Sequence, residues 1–235
     1  MTNTNSKGFR YENKYLIGYE SYLQLRNMLK KFMQKDENSQ EERGYHVRSL
    51  YFDDIYDTAL VEKNMGILKR KKYRIRIYNF SSSSIKLEEK IKNHDYIKKK
   101  SSSISIEEYE KIYDADVDFL LNGQDKVRCD YYIEIKNKFL RPKVIVDYFR
   151  EAYILPFNQI RVTFDIDLSA AKARKNIFDN KLLGYKVYRK NEVILEVKYN
   201  NFLPSHIRSI LEICASNKIA ISKYVICRNY IENRF

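Results

Sequence analysis

Tryptophan is missing altogether, and cysteine, proline, glycine and histidine are scarce, at three, three, six and three residues in a chain of 235. Cys129, Cys214 and Cys227 are odd in number and widely spaced. That excludes a disulfide framework and a cysteine zinc site, and reads as reduced structural thiols in a cytoplasm. His46, His94 and His206 fall near no cysteine pair, so Cys–His nucleophilic catalysis is set aside as well. So little glycine and proline argues against long linkers. No apolar run approaches the ~20 residues that span a bilayer, and the opening MTNTNSKGF lacks the apolar segment of a secretory signal. What abounds is tyrosine (21), phenylalanine (12) and positive charge: 44 Lys and Arg against 31 Asp and Glu, a net +13. Such a charge implies an anionic partner, whether nucleic acid, acidic membrane or polyphosphate.

The most informative stretch is 72–92, KYRIRIYNFSSSSIKLEEKIK, two alternating runs around a serine turn. Side chains on a strand repeat every second residue. Lys72, Arg74 and Arg76 therefore oppose Tyr73, Ile75 and Ile77, while Lys86, Glu88, Lys90 and Lys92 oppose Leu87 and Ile91. The hairpin has one apolar and one cationic face. A single such hairpin is ordinarily a solvated sheet face, but the pattern recurs along the chain.

Alternation predicts strands at 9–17, 46–53, 129–138, 143–154, 160–168 and 192–199, with a short one at 187–189. Helical spacing predicts amphipathic helices at 19–34, 103–121 and 205–216. Ser105 with Glu107 and Glu108 supplies cap chemistry for the second of these. Tyr51, Tyr78 and Tyr148 read as packing residues or as supports behind the ligand-binding side chains, and Asp165 and Asp167 as turn residues. Closing so many two-faced antiparallel strands removes sheet edges. The expected fold is thus α+β, seven or eight antiparallel strands closed into a β-barrel tunnel with a polar, cationic interior, flanked by amphipathic helices. Crowded cations in a low-dielectric channel repel one another unless an anion fills it, so the ligand is expected to be strongly negative.

The ordered series RxExKY (10–15), SLYFD (49–53), KYRIRIY (72–78), LEEK (87–90), DYFREAY (147–153), RVTFDIDL (161–168), LEVKY (195–199) and SKY (222–224) resembles the VTC domain. This is the catalytic domain of polyphosphate polymerases, within the triphosphate tunnel metalloenzyme (CYTH-like) superfamily. The resemblance runs over about 9–228 and implies one domain spanning 1–235. It implies an eight-stranded antiparallel β-barrel tunnel and transfer of the terminal phosphoryl group of ATP onto inorganic polyphosphate, with a divalent metal, manganese in preference to magnesium. By the same resemblance, Lys14, Arg74, Arg76, Lys90, Arg150 and Arg161 are the catalytic phosphate ligands. Lys198, Lys223 and, through the ambiguous KKKSSS run, Lys100 bind substrate. Glu196 is the metal ligand; Glu12 and Glu88 either assist it or pair with neighbouring cations, the latter favoured by the cations around them. Arg10 stands where CYTH phosphatases carry the first glutamate of ExExK, which favours the polymerase branch. The other readings are a triphosphatase of the same superfamily and a non-enzymatic RNA or polyanion binder. The expected partners are ATP and polyphosphate, with no specific nucleic acid. The expected setting is cytoplasmic, with membrane association only through a membrane-protein partner.

Overall fold

The computed structural model describes residues 11–39, 41–94, 96–188, 191–214 and 218–234. Phe9 and Arg10 of the expected first strand, Arg189 and Ser216 lie outside them. The chain forms one mixed α+β unit around a large antiparallel sheet. Its strands are β1 (Tyr11–Gly18), β2 (Gln34–Lys35), β3 (Tyr45–Asp53), β4 (Lys69–Tyr78), β5 (Ser81–Asn93), β6 (Tyr96–Ile104), β7 (Arg141–Leu155), β8 (Ile160–Lys172), β9 (Tyr185–Lys186) and β10 (Glu192–Tyr199). The helices are α1 (Tyr19–Leu29), α2 (Thr58–Asn64), α3 (Ile106–Tyr113), α4 (Lys126–Lys138), α5 (Ser205–Cys214) and α6 (Lys223–Glu232).

The main path runs β1-β10-β8-β7-β3-β4-β5-β6, with β2 added on β7 and β9 on β8. This corrects the expected closed barrel. Among the described residues no ladder joins β1 to β6. The two ends of the sheet approach each other, however, and Lys90 of β5 reaches Glu12 of β1 at 3.1 Å. Alternation assigns each strand two faces but is the same in a curled sheet and a closed one, so it could not decide closure.

The apolar faces lie outward. Ile75, Ile77, Leu87 and Ile145 pack with Tyr109, Ile112, Tyr131 and Ile135 of α3 and α4. Val162, Phe164, Leu195 and Val197 pack with Tyr22, Leu25, Ile207 and Leu211 of α1 and α5. At α3 the expected cap is present: the Ser105 hydroxyl accepts from the Glu108 amide at 3.2 Å, and the Glu108 carboxylate accepts from the Ser105 amide at 3.0 Å. Residues 129–138, expected as a strand, lie in α4. The buried Val127, Tyr131 and Ile135 fall four residues apart, and the Asp125 carboxylate accepts from the Val127 amide at 2.8 Å. The aromatic alternation masked that spacing. The expected 103–121 helix is β6, α3 and a single 3-10 turn over Asp118–Leu121.

The concave face is covered at one side by α6. Its Tyr224, Cys227 and Ile231 pack on Val144, Val146, Leu168 and Ile194. No helix among the described residues is long and apolar enough to cross a membrane.

Gly44, just ahead of β3, fixes the spacing between two of the central strands. Its φ is +75°, and a Cβ there would sit 2.0 Å from the Arg150 carbonyl oxygen. Gly44→Ala is expected to cost about 2–4 kcal/mol, from left-handed strain and backbone overlap together. A denaturant midpoint unchanged from wild type would refute that.

Candidate active site

Tilted strands bring the polar faces of β1, β4, β5, β7 and β10 around one cavity of about 530 Å³. The period of two delivers Glu12 and Lys14 from β1, Lys72, Arg74 and Arg76 from β4, Lys90 from β5, Tyr148 and Arg150 from β7, and Glu196 and Lys198 from β10. Residues 218–222 and the first turn of α6 supply Lys218, Lys223 and Tyr224, and Lys63 and Arg70 stand with them on the lining. In all, twelve cationic side chains face two carboxylates.

Buried carboxylates aim these cations. Arg150 is held in a fork by Asp165, Nε to Oδ1 at 2.6 Å and Nη2 to Oδ2 at 2.8 Å. The Lys223 ammonium lies 2.5 Å from the same Oδ2. Arg74 donates to Glu88 at 2.6 Å and to the Tyr51 hydroxyl at 2.8 Å. Arg76 donates to Ser49 at 3.1 Å and to the Tyr148 hydroxyl at 3.3 Å. Lys14 lies between Glu12 at 2.9 Å and Glu196 at 3.5 Å, and Lys198 closes on Glu196 at 2.6 Å. Planar guanidinium forks anchored on one edge suit bidentate contact with phosphate oxygens on the other.

The titration behaviour shows how far the positive charge exceeds its counterions. Burial and Glu196 both work against an ionised Glu12, yet Lys90, Lys14 and Lys198 outweigh them and hold its pKa low. Glu196 is likewise held well below the usual range by Lys198, Lys14, Lys223 and Arg150 despite complete burial. Lys14, half-buried, is raised by Glu12 and Glu196 against the cost of desolvation. Lys90 goes the other way: burial brings it down to about 7, and Glu12 only partly offsets this and the repulsion from Lys14 and Lys198. Lys72 is lowered as well, first by burial and then by Lys90 and Lys14. Burial and mutual repulsion thus lower three of the cavity's lysines, Lys90, Lys72 and Lys63, while Lys14 is raised by its carboxylates.

Of the residues proposed from sequence, Lys14, Arg74, Arg76, Lys90, Arg150, Lys198, Lys223, Glu12 and Glu196 come together on this wall. Three are placed elsewhere. Arg161 shares the polar face but is held by Asp36 at 2.8 Å and the Tyr45 hydroxyl at 3.2 Å, off the lining. Lys100 points to the outer face, bound to Glu89 at 2.7 Å and Asp130 at 3.0 Å. The β5–β6 register sets Lys99 opposite Lys90, so Lys99 is the inward residue of KKK, reaching Glu88 at 2.8 Å. A one-residue slip exchanges the two faces. Glu88 sits behind Arg74 as its counterion and does not line the cavity.

Sequence reasoning also missed residues. Asp165, read as a turn residue, is buried and holds both Arg150 and Lys223. Tyr51 and Tyr148, read as packing or supporting residues, do support Arg74 and Arg76 through their hydroxyls, and they also line the cavity itself. Lys72 was legible from its alternation with Arg74; Lys63 and Lys218, outside the main strands, carried no signal.

Among the described residues no three histidine, cysteine or carboxylate groups converge on a point. Glu12 and Glu196, ionised on either side of Lys14, form a two-carboxylate donor set, which fits a hard divalent cation that takes its remaining oxygens from phosphate and water.

No curated protein matches this chain. A solved structure of a proposed adenylate cyclase from Bacillus halodurans shares the fold, with a TM-score of 0.54 at 12% identity, over 91% of this chain and 94% of that one. A conserved hypothetical protein from Pyrococcus furiosus aligns at a TM-score of 0.42 and 12% identity, over 87% of each chain. The VTC domain family matches residues 9–231, a span that holds the whole cavity wall. The chain belongs to the VTC domain family.

Proposed function

We propose that this protein is a metal-dependent polyphosphate polymerase, transferring the terminal phosphoryl group of ATP to a growing inorganic polyphosphate chain. The observation that carries the reading is the surplus of cavity cations: twelve line the wall against two lining carboxylates, and the buried Asp165 and Glu88 behind it raise the counterions only to four. A nucleoside triphosphate carries roughly four negative charges near neutral pH. A wall built for that alone would be overcharged, whereas a donor triphosphate together with an acceptor chain would neutralise it. Phosphoryl transfer needs positioning and charge neutralisation more than covalent help. Arg74, Arg76 and Arg150 are fixed in place to grip phosphate oxygens, and Lys14, Lys198 and Lys223 supply adjustable point charges. Glu12 and Glu196 would hold manganese or magnesium, which when bound draws electron density from the phosphate oxygens it touches. ATP and polyphosphate are the ligands this reading calls for, in a cytoplasmic setting. Specific nucleic acid binding is disfavoured because Tyr51 and Tyr148 are buried and spend their hydroxyls on arginines, leaving no open stacking platform there.

Incubation with ATP and manganese, resolved on a gel, tests the proposal. Acid-labile polymer is expected. Free phosphate alone would assign a triphosphatase, and no reaction or binding at any metal concentration would reject both.

Binding itself should be linked to protons. At pH 8 Lys90, with its pKa near 7, is mostly neutral, and Lys72 is shifted in the same direction. A bound polyanion restores the charged forms, so tripolyphosphate is expected to bind with proton uptake above about pH 7 and to weaken as pH rises further. Calorimetry in buffers of different ionisation enthalpy measures the uptake, and Lys90→Arg should reduce it. Uptake of no protons at pH 8 would contradict the assignment.

A further inference from the structure

The connector between β3 and β4 has a surface unlike the rest of the molecule. Six large apolar side chains between Ile55 and Leu68 are exposed, with Tyr56 at 79% and Met65 at 73%. Single exposed hydrophobic residues are ordinary, but a cluster of this kind marks an interaction face. Its carboxylates are withdrawn. Asp54 is buried and accepts from the Tyr56 and Thr58 amides, and Asp57 is held by Lys143 and Arg228. Glu62 is half-buried and its pKa is raised, mainly by burial. The exposed charge beside the apolar residues is positive, with Lys69 exposed, Lys71 exposed but paired with the buried Glu89 at 3.2 Å, and Lys63 and Arg70 half-buried at the cavity. Alongside runs a groove of about 310 Å³ between α2 and the start of α6, lined by Ile219, Ala220, Ile221, Val225 and Ile226, with Lys63 common to groove and cavity.

We infer that this face docks directly on an anionic lipid bilayer. Tyr56, Met65, Ile67 and Leu68 would enter the headgroup–acyl boundary, and Lys69 and Lys71 would meet the lipid phosphates. Apolar side chains supply area-dependent insertion, and each nearby cation adds attraction to an acidic surface. A protein partner that matched these cations would have to bring its own carboxylates into an apolar contact and desolvate them, which headgroups at a wet interface avoid. The contact needs no membrane-spanning segment and no protein intermediary. It does not depend on which anion the cavity takes, although it would set the cavity wall beside the membrane surface.

Vesicle flotation of the full chain tests it, using phosphatidylcholine vesicles with and without phosphatidylglycerol. Flotation is expected only with the anionic vesicles and should weaken with salt. The triple variant Tyr56→Ser, Met65→Ser, Leu68→Ser is expected to lose about 10²-fold in vesicle affinity while binding tripolyphosphate as wild type does. Saturating tripolyphosphate should leave flotation intact, because these side chains lie off the cavity wall. The inference is overturned if anionic vesicles do not float the protein, if the triple variant floats equally well, or if tripolyphosphate abolishes flotation and so traces it to the cavity. It is also overturned if the wild type self-associates and the triple variant does not, which would make the patch an interface between copies. Tripolyphosphate binding without flotation refutes this inference alone; flotation without polyphosphate synthesis refutes only the catalytic reading.

Discussion

Arg74→Ala is expected to lower phosphoryl transfer by roughly 10³-fold, the scale set by removing a preorganised donor from developing negative charge in a dry site. Arg74 is half-buried and tied to Glu88 on one side and Tyr51 on the other, so its guanidinium needs no reorganisation when substrate arrives. The fold should survive the substitution. Glu88 keeps Lys99 at 2.8 Å and has Arg76 at 3.8 Å, so it is not left as an isolated buried charge. Arg74→Lys keeps the charge but not the fork and should recover only part of the loss. Turnover, rather than substrate affinity alone, should fall, because the interaction matters most where charge develops. Wild-type turnover in a folded Arg74→Ala protein would move the phosphate grip to Arg150 and Lys223 and sink this assignment.

Arg74 was legible because strict alternation in KYRIRIY exposes which side chains share a face, and the same period set Lys14, Lys90 and Glu196 on ionic strand faces; Arg150 was named through the family resemblance, and all four line one cavity. Legibility ended where the period is broken or silent. Lys99 and Lys100 are indistinguishable by composition; only the pairing of Lys90 with Lys99 separates them. In β8, Asp165 opposes Arg150 while Asp167, two residues on, has a φ of +56° beside a bulge. Side by side in IRVTFDIDL, the two aspartates gave no sign that one holds the cavity and the other bends the chain. The C-terminal helix stayed hidden for a related reason. Its buried set of Lys223, Tyr224, Cys227, Arg228 and Ile231 mixes charge with apolar groups, because it faces the ionic cavity at one end and an apolar cluster along its length. Such a helix has no clean amphipathic stripe to find.

Asp165→Asn should be the most destabilising single change in the site. Its carboxylate is completely buried and is shared by the Arg150 fork and Lys223, so its neutralisation leaves two buried cations with a lost counterion. Breaking a buried ion pair from one side costs about 3–5 kcal/mol, or on the order of 10 °C in Tm for a chain of this size. Burial disfavours the charged form, but Arg150 and Lys223 outweigh it and hold the Asp165 pKa low. The carboxylate therefore stabilises the fold above its unfolded pKa, and that contribution is lost as pH falls through its lower folded value. Wild type and variant should accordingly converge in strong acid. Tripolyphosphate provides the sharper test. If the cations converge on a polyanion site, the ligand supplies the negative charge that the amide lacks, and the Tm gain on binding should be larger in the variant than in wild type. Asp147→Asn is the control: that carboxylate is forked to Arg48 at 2.8–3.1 Å, off the cavity lining, and its loss should not be relieved by ligand. Equal ligand gains in all three proteins would mean that Asp165 props up the fold without framing the anion site, and the electrostatic account of the cavity would fail with it.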